Sequence, residues 1–198
     1  VTGNLNLVAA GAISQGSGNA VVSGTATFDA GTTNDIALAN TTNDFGTVTI
    51  AAGRNVSIKD ANALTFNGAA FTGALTVEAL GASSDLTISG DNAYGGGGAN
   101  TATFKSAKSI LMLGGANIRS SAGALNVVLN SDTDGDGGGV KVGDGTTLAQ
   151  ILTAGGNILL GGGASAGNFA IGSSGTGNVG VWISKANLVS SAGSITMR

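Results

Sequence analysis

The run Asp132-Thr133-Asp134-Gly135-Asp136-Gly137 is the stretch whose residue types suit chemistry most directly. Carboxylates at alternate positions, then a glycine for a sharp bend, match the first half of a calcium loop, because a hard cation gathers several oxygens around a tight turn. The bidentate glutamate of such loops is missing at the twelfth place: Gly143 stands there and Asp144 follows one residue late. Asp132, Asp134 and Asp136 are therefore candidate calcium ligands. The plainer alternative is a solvated loop in which Asp and Gly serve the turn. Trp182 lies between Val181 and Ile183 and faces outward if those two face inward. An outward indole stacks on sugar rings, so Trp182 is a candidate glycan contact. A surface aromatic covered by a loop or by an assembly partner is the alternative. Tyr94, in Asp91-Asn92-Ala93-Tyr94-Gly95-Gly96-Gly97-Gly98, is a second candidate ligand residue, on a loop expected to bulge from the body. A flexible insertion is the competing reading there.

Other chemistries are excluded by what is missing. With no His and no Cys, imidazole-based catalysis, Cys/His zinc sites and disulfides have no residues to use. Gly95–Gly98 and Gly161–Gly163 are not followed by the Lys-Ser/Thr of a phosphate loop. Eight Lys and Arg against a net charge of −3 give no electrostatic footprint for nucleic acid. The remaining acids, Asp29, Asp35, Asp44, Asp60, Glu78, Asp85, Asp91 and Asp144, are scattered. Only Arg54, Lys59 and Asp60 are placed to neighbour one another across a corner. A β-helical polysaccharide lyase or hydrolase needs carboxylates clustered with basic groups on one face, so the chain is read as no enzyme. No cofactor is expected apart from the calcium of the Asp132 loop.

The elements that must position these residues are short strands. Period-two alternation recurs in Leu5-Asn6-Leu7, Thr47-Val48-Thr49-Ile50, Val56-Ser57-Ile58, Leu75-Thr76-Val77, Leu86-Thr87-Ile88, Leu125-Asn126-Val127 and Val140-Lys141-Val142. Gly, Asn, Asp or Ser fills each gap, and no window carries a helical period. Ile36, Val56 and Leu75 head equivalent segments 20 and 19 residues apart. Three short strands per beat of that length predict an all-β parallel β-helix, a β-solenoid of about nine coils of roughly 20 residues, stacked about 4.8 Å apart. The composition agrees: 36 Gly for corners, no Pro to break ladders, and 10% charged residues, since in-register stacking puts like charges in rows. Phe28, Phe45, Phe66, Phe71, Phe104 and Phe169 are expected in the core. Residues 2–11 return at 72–81 and 116–123 at 186–193, both at offset 70, while Thr25–Phe28 returns at Thr101–Phe104 at offset 76. Residues 1–198 are thus read as one solenoid segment of a longer protein, with 70-residue super-repeats and loop insertions near 91–100 and 131–139. A β-barrel in a membrane would need aromatic girdles, and a β-sandwich leaves the 20-residue beat unexplained. The longest apolar runs, about four to six residues, are too short for a membrane helix.

The repeats Ala30-Gly31-Thr32-Thr33-Asn34-Asp35-Ile36-Ala37-Leu38, Asn43-Asp44-Phe45-Gly46-Thr47-Val48 and Asp60-Ala61-Asn62-Ala63-Leu64-Thr65 resemble those of large bacterial haemagglutinin-like exoproteins. Gly123-Ala124-Leu125-Asn126-Val127-Val128-Leu129-Asn130-Ser131-Asp132 and Gly155-Gly156-Asn157-Ile158-Leu159-Leu160-Gly161-Gly162-Gly163 extend the resemblance to the filamentous-haemagglutinin family of two-partner-secreted adhesins. That resemblance implies a secreted, cell-surface protein that crosses the outer membrane unfolded through a partner pore and folds outside into a rod, a right-handed parallel β-helix. It implies a structural, adhesive role, with cell-surface or matrix polysaccharide as partner, and no membrane insertion. A glycan- or partner-binding module on the same rod is the alternative function, and a β-helical carbohydrate enzyme a third.

Overall fold

Strands form where the period-two segments lie. The computed structural model describes residues 1–198 except Gly175, and the described residues form nineteen strands with one short 3-10 turn, Ser174–Thr176. In chain order the strands are β1 Leu5–Val8, β2 Ile13–Ser14, β3 Val21–Asp29, β4 Ile36–Leu38, β5 Asp44–Gly53, β6 Val56–Asp60 and β7 Leu64–Phe71. They continue with β8 Leu75–Ala79, β9 Leu86–Tyr94, β10 Asn100–Ser106, β11 Ile110–Met112, β12 Asn117–Ser120 and β13 Leu125–Ser131. The last six are β14 Val140–Val142, β15 Ala149–Leu152, β16 Ile158–Gly162, β17 Val181–Ile183, β18 Ala186–Val189 and β19 Ile195–Met197. Every pairing between these strands is parallel.

The chain is a parallel β-helix. An eight-stranded sheet, β2-β4-β6-β8-β10-β13-β16-β19, takes one strand from each lap. The other sheet has eleven strands because its long members bend and then divide. In β7 and β9 the bend falls at Gly68 (φ +86°) and Gly90 (φ +64°), which lie together at the one register shift between these strands. One lap later the strand is broken into β11 and β12, which pair with the first and second halves of β9. Each lap therefore has three faces, as the short-strand beat requires.

Ile13, Ile36, Val56, Leu75, Ala102, Val127, Ile158 and Ile195 form one vertical column of the eight-stranded sheet. All but Ile195 are buried. The spacing down this column is 23, 20, 19, 27, 25, 31 and 37 residues. The 20-residue beat holds only from Ile36 to Leu75, and later laps are lengthened by corner loops, so the eight-stranded sheet has one strand fewer than the nine coils expected. Inside, Phe28 meets Phe45 edge-on at 6.1 Å and Phe66 meets Phe104 at 6.0 Å between ring centres.

Corners are tied by a ladder of side-chain acceptors. Asn55 N donates to Asp35 Oδ1 (3.1 Å) and Ala74 N to Asn55 Oδ1 (3.0 Å). Asn157 N donates to Asn126 Oδ1 and Ser194 N to Asn157 Oδ1, both at 2.9 Å. The ladder takes the place of strand pairing where the backbone turns, so these corner amides are not left without partners.

Two features differ from the sequence-based expectation. Of the repeats at offset 70, only 116–123 and 186–193 occupy one column, two laps apart through Asn117↔Gln150↔Asn187. Leu5 and Leu75, and Ala26 and Ala102, lie on different sheets, because every buried strand of a solenoid carries the same local alternation whichever face it builds. Residues 91–94 are not an insertion: they complete β9, and the loop begins at Gly95.

Thr103 lies in β10 between Thr76 and Val128, with its side chain on the outer face. Thr103→Pro is expected to cost about 3 kcal/mol or more by removing a ladder donor, while Thr103→Ala costs about 1 kcal/mol or less. Chemical denaturation of the two variants checks this.

Candidate functional site

The acidic loop follows directly from the end of β13. Asp132 takes a left-handed backbone (φ 55°) and is fully buried. Its N–H donates to Lys108 O (2.8 Å), its carbonyl accepts from Gly135 N (3.2 Å), and its Oδ1 accepts from Gly137 N (2.7 Å). Its Oδ2 is buried without a partner. Glycine is required at 137 and 138: Gly137 has φ +116°, and a Cβ on Gly138 would strike the Lys108 carbonyl. Asp134 and Asp136 are exposed, and one oxygen from each of the three residues lies within 4.8 Å of the others. Desolvation, then the Asp134 and Asp132 carboxylates, push the Asp136 carboxyl above its ordinary value, with Lys108 opposing. Asp144 does not join them. It accepts from Thr146 Oγ1 (2.7 Å), Thr146 N (2.8 Å) and Thr147 N (3.2 Å), and these donors hold its carboxyl at about 2. The sequence thus brings three of its acids together at the expected place, in a loop spanning 132–139 between β13 and β14.

Trp182 projects outward from β17, 39% exposed, with the Lys141 ammonium 4.5 Å from its ring centre. Lys141 is its register partner on β14, so the cation–π contact comes from stacking of laps. Tyr94 is a correction. Its side chain is 1% exposed, the ring packs on Phe71 at 5.5 Å, and the hydroxyl donates to Gly98 O (2.8 Å). Leu86, Ile88, Asn92 and Tyr94 keep one inward alternation through the bend at Gly90, so Tyr94 points inward, where it pins the Gly95–Ala99 loop and has no surface to offer a ligand. Phe169 is a second correction: it is 74% exposed, on the segment between β16 and β17 that leaves the stacked core.

Sequence spacing alone does not reveal a groove on the outer face of the eight-stranded sheet. Lys59, Glu78, Lys105 and Asn130 stand in one outward row. Lys59 and Lys105 flank Glu78 at 3.1 and 3.2 Å. Burial pushes the Glu78 carboxyl up, but the two lysines outweigh it and hold it below its ordinary value. The groove, about 430 Å³, is lined by Glu78, Leu80, Lys105, Val128, Asn130 and Thr133 and walled by Ala164–Ala166. Asn130 Oδ1 is buried there without a partner. The only signal in the sequence is the register itself, which needs the lap lengths of 19, 27 and 25 residues.

Arg54, Lys59 and Asp60 do not form a cluster. Arg54 makes a two-point pair with Asp35 (2.8 and 2.9 Å), Lys59 turns to Glu78, and Asp60 points inward. Arg119 pairs in the same two-point way with Asp91 (2.7 and 2.6 Å). Asp29 and Asp85 accept the backbone N–H groups of Gly31 and Ser109 at corners. These acids act chemically as turn acceptors and ion-pair partners.

A family model described as repeats of unknown function (DUF5649) matches residues 1–52. No curated protein matches the chain, and no solved structure does.

Burial pushes the Asp60 carboxyl up to about 6, against the Phe45 and Asn62 backbone donors (2.6 and 2.8 Å) that lower it and with Asp44 raising it further. In the unfolded chain the group titrates near about 3.9. Its contribution to stability is whole below that pH and is lost as pH rises through about 6. The stability of the protein minus that of Asp60→Asn is therefore expected to fall between about pH 4.5 and about pH 7.5. Urea midpoints at the two pH values measure it, and a constant difference overturns the assignment.

Proposed function

We propose that this chain is a stiff spacer in a large secreted bacterial surface adhesin of the filamentous-haemagglutinin-like kind. The supporting observation is the unbroken parallel pairing of the eight-stranded sheet, lap upon lap, from β2 to β19. Hydrogen bonds run along the axis in every lap, and the apolar columns are continuous, so bending must stretch ladder bonds on one side and crowd buried side chains on the other. Distance from the cell is then the product. The partner pore in the outer membrane acts on the longer, unfolded protein, and a chain with no Cys carries no cross-link to obstruct passage. The turn and ion-pair duties of the acids favour a non-catalytic role.

A second reading is a polysaccharide-binding module on the same rod. The observation that favours it is the groove beside Asn130, which offers an ammonium, a carboxylate and an unpartnered amide oxygen over an apolar floor of Leu80 and Val128. Trp182 would add a stacking surface.

The two readings separate in a replacement experiment on cells displaying the full protein. Exchanging this chain for an unrelated parallel β-helix of equal length is expected to leave adhesion intact, while deleting it shortens reach and weakens adhesion. Loss of adhesion on exchange assigns binding to the chain. Adhesion unaffected by deletion overturns both readings.

A further inference from the structure

We propose that the corner loop between β13 and β14 binds one calcium ion through the carboxylates of Asp132, Asp134 and Asp136. Three acids on a loop are not a site in themselves. The decisive feature is Asp132, which is fully buried and whose Oδ2 has no hydrogen-bond donor although Oδ1 is held by Gly137 N. A buried carboxylate oxygen without a partner is costly. Here the carboxylate belongs to a set whose oxygens lie within 4.8 Å of one another. A cation among them supplies the missing partner for Asp132 and draws together three carboxylates that otherwise face one another unscreened.

The donor set specifies the ion. All three donors are carboxylate oxygens, and the chain has no His or Cys to recruit a softer metal. Oxygens about 2.3–2.6 Å from one calcium ion lie at most about 5 Å apart, whereas the ~2.1 Å distance of magnesium limits them to about 4.2 Å. A set held within 4.8 Å fits the calcium sphere, and magnesium's demand for near-octahedral geometry and its reluctance to shed water disfavour it at three protein oxygens. The loop frame is already built: Asp132 N is bonded to Lys108 O, and Gly138 O accepts from Gly172 N (2.8 Å) in the following lap. The ion therefore fastens a corner already bonded to the preceding and following laps. It also steadies Thr133, which lines the groove. Without a bidentate twelfth ligand, affinity falls in the weak range, about 0.1–1 mM.

Thermal melting of the protein at constant ionic strength tests this. At about 5 mM calcium the melting temperature is expected to rise by about 2–9 °C over the value in chelator. Magnesium at the same concentration raises it by less than half as much. Asp134→Asn with Asp136→Asn abolishes the calcium-dependent rise and leaves the chelator value unchanged or higher, because like charges are removed. Titration calorimetry gives one site for the protein and none for the double variant. No rise with calcium, an equal rise with magnesium, or a rise that survives in the double variant overturns the proposal.

Discussion

Parallel strands stacked in register, about 4.8 Å apart, govern everything else in this molecule. In such a stack each residue has a residue of the same facing directly above and below it. An inward position must therefore be apolar for several laps in succession, which is why the column from Ile13 to Ile158 holds only Ile, Val, Leu and Ala. An outward charge faces whatever the neighbouring laps place beside it. Lys59, Glu78 and Lys105 answer this by alternating sign, and Asp35 with Arg54 and Asp91 with Arg119 answer it in pairs. The exposed pairs contribute little to stability, about 0–1 kcal/mol each. Their larger effect is on register, since a slip of one lap along the Lys59 row would set lysine against lysine.

The corners are free of that rule, and the unusual chemistry collects there. Strand pairing fixes the faces, so added residues can enter only between them. Laps of 19 and 20 residues have tight corners, while laps of 31 and 37 carry the acidic loop and the segment around Phe169. The groove arises where the two regimes meet: its floor is an ordinary outward row, and its wall is a corner segment, Ala164–Ala166, folded back over that row. The unpartnered oxygens of Asn130 and Asp132 lie at the same junction, two residues apart in the chain.

What the sequence discloses follows from the same division. Alternation and the beat through Ile36, Val56 and Leu75 make the faces readable, because there the lap length is nearly constant. The acidic loop is readable because its ligand spacing is local. Tyr94 misleads because Gly90-Asp91-Asn92 has the composition of a turn, whereas Gly90 stacks on Gly68 and lets the strand continue. Phe169 misleads because residue type says nothing about leaving the stack. The groove is invisible because Glu78, Lys105 and Asn130 are adjacent only through lap lengths of 27 and 25 residues that no local pattern announces. The buried, unpartnered oxygen of Asp132 is likewise a property of its enclosure.

The Asn ladder has a direction. In each of its bonds the acceptor belongs to the earlier lap and the donor is a backbone N–H of the next: Asn55 serves Ala74, Asn126 serves Asn157, and Asn157 serves Ser194. A finished lap thus presents an oriented acceptor before its donor has arrived, and the newcomer, once docked, offers the next. Every junction of this kind is therefore the same in sense, so a lap can be appended to the stack without rearranging the bonds beneath it.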